Sequence, residues 1–301
     1  MKQLLVLLVT FTLVAARAAE NHADGIVRQV LENVAKLKAA DPAAVPMAFW
    51  DFDGTIIKGD ISEGLVEGAT QSLSEGLRVG GVRRFKGLVW RTIEAGFSPV
   101  YPKDGGWEQY QKDYKRLNEI GRWLAWPYNA QIFEGTSAAE LDAFCAAECA
   151  AVYRKWYFAS SVKMMKALEK AGVENYIVSA SPEIFVRNAA ASLGLTADRM
   201  RAIRVEISGG RMTTRVVHPV PYGEGKVENV RDLVLARGHG VAVAGFGNSY
   251  STDGAFLKYI ATQASLPGGA KGTSVMINGG KVVAGMTEHF ITVDQDEVTG
   301  E

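Results

Sequence analysis

The most constraining feature of this chain is a short apolar run that ends directly in a pair of aspartates. Met47-Ala48-Phe49-Trp50 follows the breakers Asp41-Pro42 and Pro46 and runs into Asp51-Phe52-Asp53-Gly54-Thr55. That pattern reads as a buried strand delivering two carboxylates to a polar loop. The sequence after residue 160 supplies it with neighbours. Ser161 to Ala171 reads as a helix ended by Gly172, Tyr176-Ile177-Val178-Ser179 as a strand, and Ser181-Pro182-Glu183 as the next helix start, with proline at its first position. Residues 202–219 read as a β-hairpin turning at Gly209-Gly210; Gly225-Lys226 opens another helix, and Val241-Ala242-Val243-Ala244-Gly245 is a further apolar strand. Strand–helix–strand alternation predicts an α/β fold, a parallel sheet with helices on both faces. Such sheets bind ligands at the carboxyl ends of their strands.

At 301 residues the chain exceeds one minimal domain and suits a large α/β core carrying an inserted subdomain. Upstream, apolar residues at helical spacing over 24–38 predict a helix. From about 59 to 150 the chain reads mostly as helix, broken at Ser98-Pro99-Val100-Tyr101-Pro102, with Ser137-Ala138-Ala139-Glu140 as a capping box. With 48% hydrophobic and 22% charged residues, the composition excludes disorder and collagen-like repeats. Basic and acidic residues balance at 33 each, so no net charge draws the chain to nucleic acid. The one dense basic run, Arg83-Arg84-Phe85-Lys86, reads as a solvated helix face, and no nucleic-acid partner is expected. Two cysteines cannot build a disulfide framework or a structural zinc site; Cys145 and Cys149 share a helix face and read as small buried residues.

The first residues carry a different signal. Met1-Lys2 is a basic start, Leu4 to Ala16 is uncharged, and Ala16-Arg17-Ala18 offers small residues for cleavage. That is the pattern of a secretory signal peptide over residues 1–18, with an apolar stretch too short to span a membrane comfortably. The expectation is export to the periplasm or beyond, with no stable membrane anchor after cleavage.

Three strands therefore end in loops with related equipment. Asp51 and Asp53 follow the first, Ser179 closes the second, and Asn248 and Asp253 follow the third; Lys226 stands at a helix start between the last two. Paired carboxylates with further oxygen ligands nearby suit a hard cation such as Mg²⁺. A lysine and a hydroxyl suit phosphoryl oxygens. One carboxylate could attack phosphorus while the other protonates the leaving oxygen.

In order and spacing, Asp51-Phe52-Asp53-Gly54-Thr55, Ser179, Gly225-Lys226 and Gly247-Asn248-Ser249 through Asp253 resemble the four motifs of the haloacid dehalogenase-like superfamily. The resemblance covers residues 45–265. It implies a Rossmann-like core over 19–58 and 151–301, with a helical cap inserted over 59–150. It implies Asp51 as nucleophile, forming an aspartyl-phosphate, and Asp53 as general acid and then base. Thr55, Ser179, the Ala180 backbone N–H and Lys226 would bind phosphate. Asp51, the Asp53 carbonyl and Asn248 would hold Mg²⁺, with Asp253 assisting directly or through water. Asp53 argues against a dehalogenase, since dehalogenases of this superfamily lack that second aspartate. One departure stands out: the family usually has aspartate where this chain has Asn248, which removes a negative charge from the metal site.

Ser179-Ala180-Ser181-Pro182-Glu183 and Tyr222-Gly223-Glu224-Gly225-Lys226 resemble the phosphoserine phosphatase-like branch. The step from Asn248 to Asp253, Gly59-Asp60-Ile61-Ser62-Glu63 and Trp126-Pro127-Tyr128-Asn129-Ala130-Gln131 resemble secreted bacterial phosphorylcholine phosphatases more closely. The resemblance thus implies a Mg²⁺-dependent enzyme acting on a small phosphomonoester, with phosphocholine as leading substrate. A broad-range acid phosphatase, or a catalytically weakened phosphate- or choline-binding protein, are the alternatives. Asp60 and Glu63 form an Asp-x-x-Glu helix cap or pair with a substrate cation; Trp107 and Tyr110, on one helical face with Tyr114, and Trp126 are core packing or contacts to that cation.

Overall fold

A computed structural model of the chain describes residues 22–68, 80–263, 266–279 and 283–300; the signal-like residues 1–18 lie outside them. Helix α1 (22–40) buries Ile26, Val30, Val34 and Leu37 at helical spacing. Strand β1 (Val45–Trp50) follows, and its side chains divide strictly by alternation. Met47 and Phe49 join one apolar cluster, with Val227, Val230, Phe256 and Leu257, while Ala48 and Trp50 join the other, with Val30, Met165 and Leu168. An apolar run with no polar alternation is what a strand covered on both faces requires.

The segment read mostly as helix departs from that reading at its start. Residues 59–63 form turns, and β2 (Gly64–Glu67) pairs antiparallel with β3 (Val82–Lys86). Asp60 and Glu63 therefore cap no helix; Asp60 Oδ1 accepts the N–H groups of Ser62 and Glu63 at 2.7 and 2.8 Å and closes a turn instead. The basic run lies on β3 rather than on a helix, with Arg84 paired across the hairpin to Glu67 at 2.6 Å. Four helices follow: α2 (Leu88–Ala95), α3 (Gly106–Ile120), α4 (Arg122–Gln131) and α5 (Ala138–Glu148). Ser137 caps α5 by accepting the Glu140 N–H. Cys145 and Cys149 are buried free thiols, and burial pushes Cys149 up to about 12.

The chain then returns to the sheet through α6 (Ala159–Lys170), β4 (Glu174–Pro182), α7 (Glu183–Ala190) and β5 (Met200–Ile203). Pro182 ends β4 and precedes the first helical residue rather than occupying it. The hairpin is shorter than read, β6 (Val205–Ser208) with β7 (Arg211–Val216), because Met200–Ile203 joins the main sheet. Helix α8 (Glu224–Ala236), β8 (Gly240–Gly247), α9 (Gly254–Thr262), β9 (Thr273–Ile277) and β10 (Ile291–Val293) complete the order. The six-stranded sheet runs β10-β9-β8-β1-β4-β5 with every pair parallel. Strand β1 sits between β4 and β8, so the loops after these three strands meet at one edge, at the switch point of the sheet. No helix among the described residues is long and apolar enough to cross a membrane.

Candidate active site

The loop after β1 is a tight turn. The Ile56 and Ile57 N–H groups donate to the Phe52 carbonyl at 2.8 and 3.1 Å, and the Gly54 N–H donates to the Ile57 and Gly59 carbonyls. Gly54 has φ +68°, and a Cβ there would fall 1.9 Å from Asn248 Nδ2. Glycine is thus required both for the backbone conformation and for the approach of the β8 loop. Phe52 turns into the core, while Asp51 and Asp53 on either side of it face a cavity of about 470 Å³.

Lys226, fully buried on α8, places Nζ 2.6 Å from Asp51 Oδ1 and 2.6 Å from Asp253 Oδ1. Asp253 in turn accepts the Asn248 and Ser249 N–H groups on Oδ2, each at 3.0 Å. Asp253 therefore stands behind the lysine and fixes both it and the loop that carries Asn248. Burial pulls the Lys226 ammonium down, but the charges of Asp253 and Asp51 more than reverse it, and the net shift is upward. Asp51 is pushed up to about 7 by burial and by Asp253, against the pull of Lys226. Asp53 is raised well above the usual carboxylate range by burial first, then by Asp60 and Asp51. Hydrogen bonds from Ser181 Oγ and the Ile61 N–H, both 2.6 Å, oppose that rise and fix the carboxyl in place. A buried carboxyl whose hold on its proton is strengthened in this way is suited to general acid work.

The main sheet and α8 supply the cavity floor with Asp51, Asp53, Ala180, Ser181, Lys226 and Asn248; the stretch between β1 and α6, called the cap for its place along the chain, supplies Asp60, Glu63, Tyr114, Arg122, Trp126 and Asn129. Of the remaining expected site residues, Thr55 and Ser179 are fully buried just behind the floor. The Thr55 hydroxyl donates to Asp51 Oδ2 at 3.3 Å, and Ser179 Oγ accepts the Ser181 N–H at 3.2 Å. Trp107 and Tyr110 lie in the core of the cap, outside the cavity wall. Trp107 stacks between Trp90 and Tyr110 at 4.5 and 5.2 Å, and Tyr110 donates to Asn129 Oδ1 at 2.6 Å, steadying a residue that does face the cavity. Trp126 does line it, with the Arg122 guanidinium 5.2 Å from its ring centre and Tyr222 edge-on behind.

Several wall residues were not singled out in the sequence, Ser181 and Arg122 among them. Ser181 stood in a helix start and in a family-like motif without a role of its own, whereas its hydroxyl holds Asp53. Arg122 carries no local signal; only the fold brings it over Ser251, to which it donates at 2.8 Å. Among the described residues no three His, Cys, Asp or Glu side chains form a metal cage. The implied donor set is of another kind: the Asp51 carboxylate, the Asp53 carbonyl and the Asn248 amide. Its residues all border the one cavity, offer hard oxygen, and sit among buried acids that a cation would relieve, so they fit Mg²⁺.

Comparison with known proteins agrees with this geometry. The model of the haloacid dehalogenase-like hydrolase family matches residues 48–257. No protein of curated function matches the chain. A structure of a protein of unknown function from Bordetella pertussis Tohama I is 16% identical, with TM-score 0.58 over 82% of this chain and 94% of that one. A HAD family hydrolase from Salmonella enterica subsp. enterica serovar Typhi is 15% identical, with TM-score 0.50 over 84% and 69% of the two chains. Both are likenesses of fold.

Proposed function

The chain belongs to the haloacid dehalogenase-like hydrolase family, and we propose that it hydrolyses small phosphomonoesters through an aspartyl-phosphate on Asp51. One observation carries this reading: Lys226 bridges Asp51 and Asp253 beneath the same cavity into which Ser181 and the Ile61 N–H hold Asp53. Asp51 attacks phosphorus, and the bond to the leaving oxygen breaks as Asp53 gives that oxygen its proton. Asp53, now a carboxylate, takes a proton from water, whose oxygen attacks the aspartyl-phosphate and frees Asp51. Lys226 offsets the charge that keeps an anionic phosphate from an anionic nucleophile, and Ala180, whose backbone N–H would bind the phosphate, lines the same cavity. Mg²⁺ held by Asp51, the Asp53 carbonyl and Asn248 would supply the rest of that neutralisation; Asp253, expected to assist it, is instead committed to Lys226 and to the backbone of the loop that carries Asn248.

Phosphocholine is the leading substrate in this reading. Asp60, Glu63 and Tyr114 give the cavity an acidic and aromatic side, which suits a quaternary ammonium group. Arg122 already places a cation 5.2 Å from the Trp126 ring, so the ammonium would lie toward Asp60 and Glu63 rather than over that tryptophan. The proposed setting is extracytoplasmic, resting on the signal-like residues 1–18, with a small-molecule substrate and no nucleic-acid partner.

Steady-state hydrolysis of p-nitrophenyl phosphate, with and without EDTA, tests the activity. Metal-dependent turnover is expected, and its absence in the intact protein would overturn the enzyme reading. It would favour the second one, a phosphate- or choline-binding protein weakened by Asn248, which puts a neutral amide where the family usually has a carboxylate. Comparing kcat/KM for phosphocholine, phosphoethanolamine and phosphoserine tests the substrate; equal values would remove the case for ammonium recognition and leave a broad-range acid phosphatase.

A further inference from the structure

The Thr55 carbonyl, inside the loop that carries both aspartates, takes no backbone partner among the described residues. The loop's own turns are closed by the Phe52, Ile57 and Gly59 carbonyls. Thr55 instead accepts two side-chain donors: Ser161 Oγ at 2.6 Å and Gln295 Nε2 at 3.1 Å. Gln295 comes from the far end of the chain, 240 residues away. It is buried, and its own position is fixed at every polar atom.

The hydrogen bonds around Gln295 form a closed set. Its backbone N–H donates to Asn278 Oδ1 at 2.8 Å, and its carbonyl accepts from Asn278 Nδ2 at 2.7 Å. One side-chain amide thus serves both sides of the Gln295 peptide in place of a neighbouring strand. Asn278 does this with φ +50°, a conformation asparagine tolerates better than most residues. Within the side chain, Gln295 Oε1 accepts from Ser160 Oγ, and Nε2 also reaches Ser161 Oγ at 2.9 Å. Ser161 has one proton to give. Its shortest contact is to the Thr55 carbonyl, so it donates there and accepts from Gln295; the second Nε2 proton goes to Thr55 as well.

We infer that Gln295 is a positioning residue for the nucleophile. It acts through Thr55, whose carbonyl it holds and whose hydroxyl donates to Asp51 Oδ2 at 3.3 Å. The C-terminal segment around it is seated on the same loop from the outside. Lys58 pairs with Asp296 at 2.5 Å, the Ala159 N–H donates to the Glu297 carbonyl, and the Thr299 N–H donates to the Tyr157 carbonyl. The segment after β10 therefore fixes the rear of the catalytic loop while the cavity opens at its front. A buried amide network that is fully satisfied rigidifies what it touches, and a small misplacement of a nucleophile is costly in rate. This inference rests on the reading of Asp51 as nucleophile.

Gln295→Leu and Gln295→Glu both remove the donor to Thr55, the second with almost unchanged shape. Each should lower kcat for p-nitrophenyl phosphate roughly tenfold with KM within about twofold, as expected when reacting groups are misaligned but binding is kept. Backbone amide exchange at Gly54, Ile56 and Ile57 should quicken, while exchange along β4 and β8 stays at the native rate. A native kcat in a folded Gln295 variant would overturn the inference. Should both variants fail to fold, Ser160→Ala, which removes only the donor to Gln295 Oε1, must show a smaller kcat loss at native melting temperature; an unchanged kcat there is equally fatal. If the wild-type protein has no turnover, the phosphatase reading fails separately, and native amide exchange at Gly54, Ile56 and Ile57 in the variants would overturn the positioning role by itself.

Discussion

The two walls of the cavity are held by opposite means. On the core side, Lys226 and Asp253 have no exposed surface, and the contacts from Lys226 to Asp51 and Asp253 are both 2.6 Å. On the cap side, Trp90, Trp107, Tyr110 and Tyr114 stack in series, and few groups turn inward from that packing. Buried charges are tolerated only when paired, so each core residue is committed to its partners and to one geometry. Stacked rings ask only for area and shape, so the cap can change what it presents to the cavity and still hold together. Function and stability should therefore be lost together in the core and separately in the cap.

The largest effects expected are in the core. Asp51→Asn should reduce phosphatase activity by roughly 10⁴-fold or more, as loss of a nucleophile does. Its fold should persist, because Lys226 keeps Asp253; a variant with most of its rate would refute the nucleophile. The same residue should shape acid stability in metal-free protein. Burial lifts Asp51 to about 7 in the fold, so the native state binds the proton more tightly than the unfolded chain. That contribution is complete below an unfolded pKa of about 4 and is lost as pH rises through about 7. Melting curves of wild type and Asp51→Asn across that window should converge at low pH and separate in favour of the variant at high pH. Curves that stay parallel would show that Asp51 does not titrate in this way.

Lys226→Met comes next and couples the two losses. It leaves Asp51 and Asp253 facing each other in a buried site, and removing one partner of a buried ion pair typically costs about 3–5 kcal/mol. Activity should vanish and thermal unfolding should shift markedly downward. A native melting temperature would mean that the pair is not buried as described.

In the cap the two losses should come apart. Trp107→Ala removes a ring stacked on both sides and should cost about 3–5 kcal/mol of stability. Below its melting temperature, kcat/KM should stay within a few-fold of wild type, since Trp107 does not line the cavity. Arg122→Ala should do the reverse: stability within about 0.5 kcal/mol, as for most substitutions outside a packed core, but an altered KM. Paired melts and steady-state kinetics check both; a Trp107 variant that folds well and loses its rate would erase the distinction between the walls.

The same contrast explains what was legible in the sequence. Asp51, Asp53, Lys226, Asn248 and Asp253 were readable because each follows a strand or opens a helix, where the local pattern announces a loop, and Ser179 because it ends the apolar run of β4. A parallel sheet then forces those loops together whatever lies between them. The aromatic stripe was equally visible, yet periodicity identifies a face without saying what the face meets; Tyr114 turns to the cavity and Trp107, one helical face over two turns, does not. The β2–β3 hairpin was missed because Arg83 and Arg84 break apolar alternation on an exposed edge. Gln295 was beyond reach, since nothing near a single glutamine signals a carbonyl 240 residues away.

The smallest expected effect probes the one departure within the core. Asn248 lies against Gly54 and lines the cavity beside Asp51, so its amide oxygen is available as a neutral ligand. Asn248→Asp adds a carboxylate to a site that already holds Asp51, Asp53 and Asp253. Without metal, the added repulsion should lower the melting temperature slightly, because the existing acids are already raised by burial and by one another. With Mg²⁺, the added charge should tighten binding by roughly three- to tenfold, of the order of one partly screened charge interaction. The melting temperature of the variant should therefore climb more steeply with Mg²⁺ concentration than that of the wild type. Equal dependence in the two proteins would show that residue 248 is not a ligand, and the weakened charge of this site would then have no bearing on its chemistry.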